Sequence, residues 1–175
     1  MCAAARVRPF GIPRAKVEGE DSLTSPYITD SIVEGAVGLV IVNTQKASNA
    51  MTVSLFSEVA HHPTSLWVSI ARKTYTHELI EQVGRFSVII LHRNQKDTAL
   101  ACGLKSGREF DKCAYLDLYP GPAGFLFLGD GMASTACSVR QSLPVGDHTL
   151  FIADILESRM NSRRSHLRQL LLSDL

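Results

Sequence analysis

The chain has 175 residues, 45% of them hydrophobic and 20% charged, with a net charge of +1. That balance is ordinary for one globular domain with a buried core. It gives bulk electrostatics no preference for nucleic acid or for an anionic membrane, and the longest apolar run, residues 36–42, is broken by Gly38 and far too short to span a bilayer.

Residues 1–26 carry Pro9, Pro13 and Pro26 among scattered charges and read as an arm ahead of a domain at 27–175. Arg6 and Arg8 are followed by no apolar core, which argues against a secretory signal. Residues 36–43 read as a buried strand, 44–49 as a polar turn, and 51–57 as a second strand with period-2 alternation. Pro63 breaks the chain before a third strand at 66–71. Thr76 is placed to cap a helix over 77–83, with Leu79, Ile80 and Val83 at helical spacing and Gly84 at its stop. Residues 86–91 form a near-continuous apolar strand, and Asn94 is placed to cap a second helix at 95–104. One more helical turn is expected at 111–115, before the Pro/Gly-rich loop 119–124. Three strands follow, at 125–128, 134–142 and 147–158, joined by turns at 129–131 and 143–146. A terminal helix at 163–172 would place Leu167, Leu170 and Leu171 on one side. The expected fold is mainly β with short helices, a closed or split antiparallel barrel of Greek-key-like connection. Regular strand–helix alternation and a Gly-rich first turn are absent, so a doubly wound nucleotide fold is not expected.

The four cysteines, Cys2, Cys102, Cys113 and Cys137, have neither zinc-ribbon nor thioredoxin spacing. They read as reduced thiols of a cytoplasmic protein. His61 and His62 are adjacent, so on a strand they point apart, and no Cys or carboxylate cluster stands nearby. They read as a surface turn beside Pro63 and not as a metal site.

Two segments offer chemistry. On the second strand, Thr52 and Ser54 share one face while Met51, Val53 and Leu55 share the other. Either the hydroxyl face meets a ligand or it lines a solvated barrel face. The loop Arg72-Lys73-Thr74-Tyr75-Thr76 is basic, hydroxyl-rich and opens a helix. It suits a phosphate, or it is an ordinary solvated cap. Together they suggest a cofactor with a polar ring system and a phosphate tail.

In order along the chain, Asn49-Ala50-Met51-Thr52-Val53-Ser54, Pro63, the segment 69–76, Gly84-Arg85-Phe86-Ser87-Val88, Gln95, Lys112, Cys137 and Gly146-Asp147-His148 resemble the flavin reductase-like proteins of the FMN-binding split-barrel fold. The likeness covers roughly residues 36–156. The chain departs from the pattern at Ile89, where an Asn is frequent, at Thr64, where many have a proline, and at Cys102 and Cys113, where an aromatic residue is common.

The resemblance implies FMN, with FAD as the alternative, held by Asn49, Ala50, Met51, Thr52, Ser54, Ser69, Arg72, Lys73, Thr74 and Thr76. It places His148 on the nicotinamide side, where the residue orients NAD(P)H or simply flanks a turn. It implies an NAD(P)H-dependent flavin reductase acting as a homodimer, passing electrons to free flavin, ferric iron or a partner monooxygenase. A flavin-binding carrier without NAD(P)H turnover is the alternative, and a relative that binds haem or another ligand is a third.

Overall fold

The computed structural model describes residues 35–161 and 168–175. The expected arm and its boundary, and the first half of the expected terminal helix, lie outside them. Among the described residues, nine strands and two α-helices follow in chain order: β1 Gly38–Asn43, β2 Ser48–Val53, β3 Phe56–His61, β4 Thr64–Ala71, α1 Tyr75–Val83, β5 Arg85–Ile90, α2 Lys96–Leu104, β6 Leu118–Pro120, β7 Leu126–Leu128, β8 Ala133–Val145 and β9 His148–Met160. Seven strands make one sheet in the order β2-β1-β5-β8-β9-β4-β3, and every pairing in it is antiparallel. β6 and β7 form a separate hairpin.

The two edge strands of the sheet, β2 and β3, are consecutive in the chain and joined only by Ser54 and Leu55. Seven strands about 4.8 Å apart would hold the edges of a flat sheet ~29 Å apart. The three Cα steps from Val53 to Phe56 span at most ~11 Å. The sheet therefore curls until its edges meet, which is the split barrel expected from the sequence. The Ser69 amide donates to the Leu55 carbonyl at 2.9 Å and fastens the crossing to β4.

The expected strand at 51–57 is thus two strands. Its alternation runs unbroken through Ser54 and Leu55, so no local signal marks the crossing, and Leu55 lies 47% exposed instead of facing the core. The strand calls at 36–43, 66–71 and 86–91 correspond to β1, β4 and β5. The last hairpin is longer than expected: residues 143–145 continue β8, and the turn is only Gly146-Asp147. Residues 168–171 are not helical. They run extended, with bridges Ala36–Leu171 and His92–Gln169 and a fully buried Leu170.

β1 is buried on both faces, and its period-2 pattern divides it between two cores. Val40 and Val42 join Val53, Val68, Ile70, Phe86, Val88 and Phe151, with Leu79 and Ile80 of α1 closing that cluster. Leu39 and Ile41 join Ala50, Ile89 and Leu91 under Ala99 and Cys102 of α2. The departures at Ile89, Cys102 and Cys113 all fall in or against the second cluster, so they alter packing there. Burial pushes the Cys102 thiol up to about 11 and the Cys137 thiol up to about 12, which keeps both protonated and unreactive at neutral pH.

Gly38 sits where the barrel closes. A Cβ there would lie 2.5 Å from the Ile89 carbonyl and 3.1 Å from the Phe56 ring. Gly38→Ala is expected to lower stability by about 1–3 kcal/mol, since backbone on one side and a ring on the other must shift. Urea unfolding checks this; an unchanged midpoint would mean that β1 and β3 do not meet so closely.

Candidate functional site

Three chain segments converge at the start of α1. β4 ends at Ala71, which pairs with His148 at the start of β9. The β8–β9 turn is two residues long, and Gly146 takes φ 57°, a conformation that glycine adopts without Cβ strain. Arg72 zips the end of β4 to this turn: its amide donates to the Asp147 carbonyl at 2.9 Å and Nη2 to the Gly146 carbonyl at 2.5 Å.

Thr74, not Thr76, caps α1. Its hydroxyl accepts from the His77 amide at 3.3 Å and donates to the Ala71 carbonyl at 2.8 Å. Thr76 is instead 1% exposed and accepts a 2.7 Å hydrogen bond from Asn49 Nδ2. Gly84 ends the helix as expected, at φ 63°, with its amide on the Ile80 carbonyl. Asn94 likewise yields its capping role: His92 Nδ1 accepts from the Asn94 amide. Buried His77 adds a second tie, sharing a 2.7 Å hydrogen bond with the Thr149 hydroxyl of β9. The first turn of α1 is thereby fixed to β2 by Thr76 and to β9 by His77.

Several of the sequence-predicted residues meet here. Asn49 and Thr76 bond to each other, Arg72 and Thr74 shape the loop, and His148 stands one residue beyond the turn that Arg72 grips. Lys73 is exposed and lies close enough to act on the Asp147 carboxylate. The hydroxyl of Thr52 departs from expectation. It donates to the Ala99 carbonyl at 2.5 Å, because α2 covers that face of β2. Ala50 is fully buried in the second core and Met51 packs on the first, so they offer backbone rather than side chains. Ser54 lies in the crossing and Ser69 on half-buried β4. His77 and Thr149 also carry the local geometry, yet nothing in their sequence spacing signals their pairing.

His148 Nδ1 donates to the Asp147 carboxylate at 2.7 Å. That hydrogen bond, with the charge of His148 and then of Lys73, holds the Asp147 carboxyl below its ordinary value. A depressed carboxylate pKa contributes stability above the unfolded value and loses it as pH falls through the folded one.

The residues fit a phosphate-bearing planar ring. Arg72, Lys73 and the opening amides of nine-residue α1 suit a phosphate. Among the described residues β2 is an edge strand whose strand partner is β1, so its outer rim carries backbone donors and acceptors in alternation. Asn49, 2% exposed, keeps one amide atom, Oδ1, without a hydrogen-bond partner. A separate open cleft of about 370 Å³ lies at the other end of β8 and β9, beside Ser134, Arg159 and Asn161, and none of the predicted site residues lines it.

The profile of the flavin reductase like domain matches residues 31–173. The chain belongs to this family. It is 30% identical over 128 residues to the NADH-dependent flavin reductase StyB of Pseudomonas fluorescens, covering 69% of each chain. It is 28% identical over 125 residues to a high molecular weight rubredoxin of Moorella thermoacetica, covering 69% of this chain but 55% of that one. The chain thus spans little more than half of that relative. Among solved structures, an FMN-binding protein from Thermus thermophilus superposes with a TM-score of 0.72 at 25% identity, covering 82% of this chain and 78% of the other. The mainly β antiparallel architecture is that of the family's split barrel.

The His148–Asp147 pair gives a direct check. Asp147 is expected to titrate below an ordinary aspartate in the wild-type protein and to rise toward the ordinary value in His148→Ala, read by carboxyl NMR shifts across the acid range. Equal titration in both proteins would break the assignment.

Proposed function

We propose that this chain is an NAD(P)H-dependent flavin oxidoreductase that holds FMN between the edge of β2 and the loop opening α1. The observation that carries this reading is the convergence of Arg72, Thr74, Thr76 and Asn49 at the first turn of α1. When bound, FMN supplies hydride acceptance and onward electron transfer. Arg72 and Lys73 neutralise the phosphate, and the opening amides of α1 donate to it. Backbone groups of Asn49, Ala50 and Met51 hold the polar edge of the ring. His148, oriented by Asp147, positions the nicotinamide; a hydride donor needs no base to abstract a proton from carbon.

NADH is favoured as reductant by the likeness to the NADH-dependent reductase of Pseudomonas fluorescens. Free flavin, ferric iron or a monooxygenase accepts the electrons. A homodimer is the assembly proposed, and the acceptor then meets the flavin where two copies join. The match to a protein named a rubredoxin favours one second reading, a flavin-bearing electron carrier.

Anaerobic mixing of the FMN-loaded protein with NADH or NADPH separates the two. Bleaching of the flavin band is expected, and unchanged colour would support the carrier. Arg72→Ala is expected to weaken FMN about 10- to 100-fold by loss of charge-assisted bonds, while riboflavin, lacking the phosphate, binds both proteins alike. Equal FMN affinity in the two proteins would place the phosphate elsewhere.

A further inference from the structure

The segment that follows α2 forms a shelf against the candidate site. Lys112, 5% exposed, donates from Nζ to the Cys102 and Lys105 carbonyls, both at 3.0 Å, and so fastens residues 105–112 to the end of α2. Arg108 pairs with Glu78 of α1, and its guanidinium lies 5.3 Å from the centroid of the Tyr75 ring. The Gly107 backbone packs directly on the Asn49 side chain, leaving no room for a Cβ. The shelf is therefore tied to the helix and to the strand that define the proposed flavin site.

Its outer surface carries an unusual stack. Phe110 and Tyr115 are nearly parallel, with centroids 5.1 Å apart and planes at 10°. Lys105 Nζ lies 4.1 Å from the Phe110 centroid. The Asp111 carboxylate accepts from the Cys113 and Ala114 amides at 3.0 and 3.3 Å, which sets the turn that presents Tyr115. Tyr115 nevertheless remains 75% exposed, so Phe110 covers one face and most of the ring stays open to solvent. A rigid aromatic ring, one stacked neighbour and a nearby cation are what a purine needs: π-surface for the base and positive charge for its phosphates.

We propose that the Phe110–Tyr115 stack is a platform for the adenine ring of a dinucleotide whose redox-active end occupies the site beside α1. The proposal rests on the flavin-site reading for its location. Tyr115 stacks on the base, and Lys105, over the neighbouring Phe110, supplies positive charge for the linking phosphates. The adenine belongs either to FAD or to NAD(P)H, and these two sources are separable by experiment.

Calorimetric titration of the full chain with ADP, FAD and FMN tests this, using wild type, Tyr115→Ala and Tyr115→Phe. ADP affinity is expected to fall about 10-fold in Tyr115→Ala, the loss of one base–aromatic stack, and to recover in Tyr115→Phe. FMN affinity is expected to stay unchanged, because FMN has no adenine. A parallel loss for FAD assigns the platform to the flavin dinucleotide. A rise in the KM for NADH with FAD affinity intact assigns it to the reductant. Equal ADP affinity in wild type and Tyr115→Ala, or no ADP binding by wild type, overturns the proposal. So does a change in oligomeric state on Tyr115→Ala without a change in ADP affinity, which would make this face a protein contact. If wild type binds no FMN, the flavin reading fails, while Tyr115-dependent ADP binding still stands or falls on its own.

Discussion

The two-residue link between β2 and β3 is the constraint on which the rest of the molecule depends. These strands occupy opposite edges of a seven-stranded sheet, so a link of Ser54 and Leu55 leaves the sheet no choice but to close. Closure brings β2, an edge strand among the described residues, beside the end of β4 and the opening of α1. Asn49 and Thr76, 27 residues apart in sequence, then meet at hydrogen-bond distance. A site built this way is pre-organised: α1 is held to β2 by Thr76, to β9 by His77, and the loop before it to the β8–β9 turn by Arg72.

The same sheet explains where Ile89, Cys102 and Cys113 fall. β1 and β5 run through the middle of the sheet and are buried on both faces, so alternate residues serve different cores. Ile89 points into the core beneath α2, as do Cys102 and, at its margin, Cys113. A change of Asn to Ile at a fully buried position replaces a group that needs hydrogen-bond partners with one that needs only packing.

Much of this fold is legible in the sequence because its signals are local. The apolar runs of β1 and β5, the breaker at Pro63, the helix stop at Gly84 and the turn residues around Gly146 all act within a few residues. What stays hidden is set by distant partners. Nothing in the alternation of 51–57 marks the crossing at Ser54, because the need to cross comes from where β3 must pair. Thr74 and Thr76 are equally good caps by composition; Thr76 is withdrawn because Asn49 takes its hydroxyl. Thr52 looks like a ligand group on an open face until α2 is folded over it. The leucine spacing near the C-terminus suggests a helix, but Leu170 is buried by extended pairing beside Ala36 and His92.

The central claim is that barrel closure makes one flavin site from β2, the loop opening α1 and the β8–β9 turn. Backbone amide chemical shifts recorded during FMN titration test it most directly. The account predicts that residues 49–52, 72–77 and 146–148 shift together along a single saturation curve. Shifts confined to the cleft beside Ser134, Arg159 and Asn161, with those three segments unmoved, would contradict it.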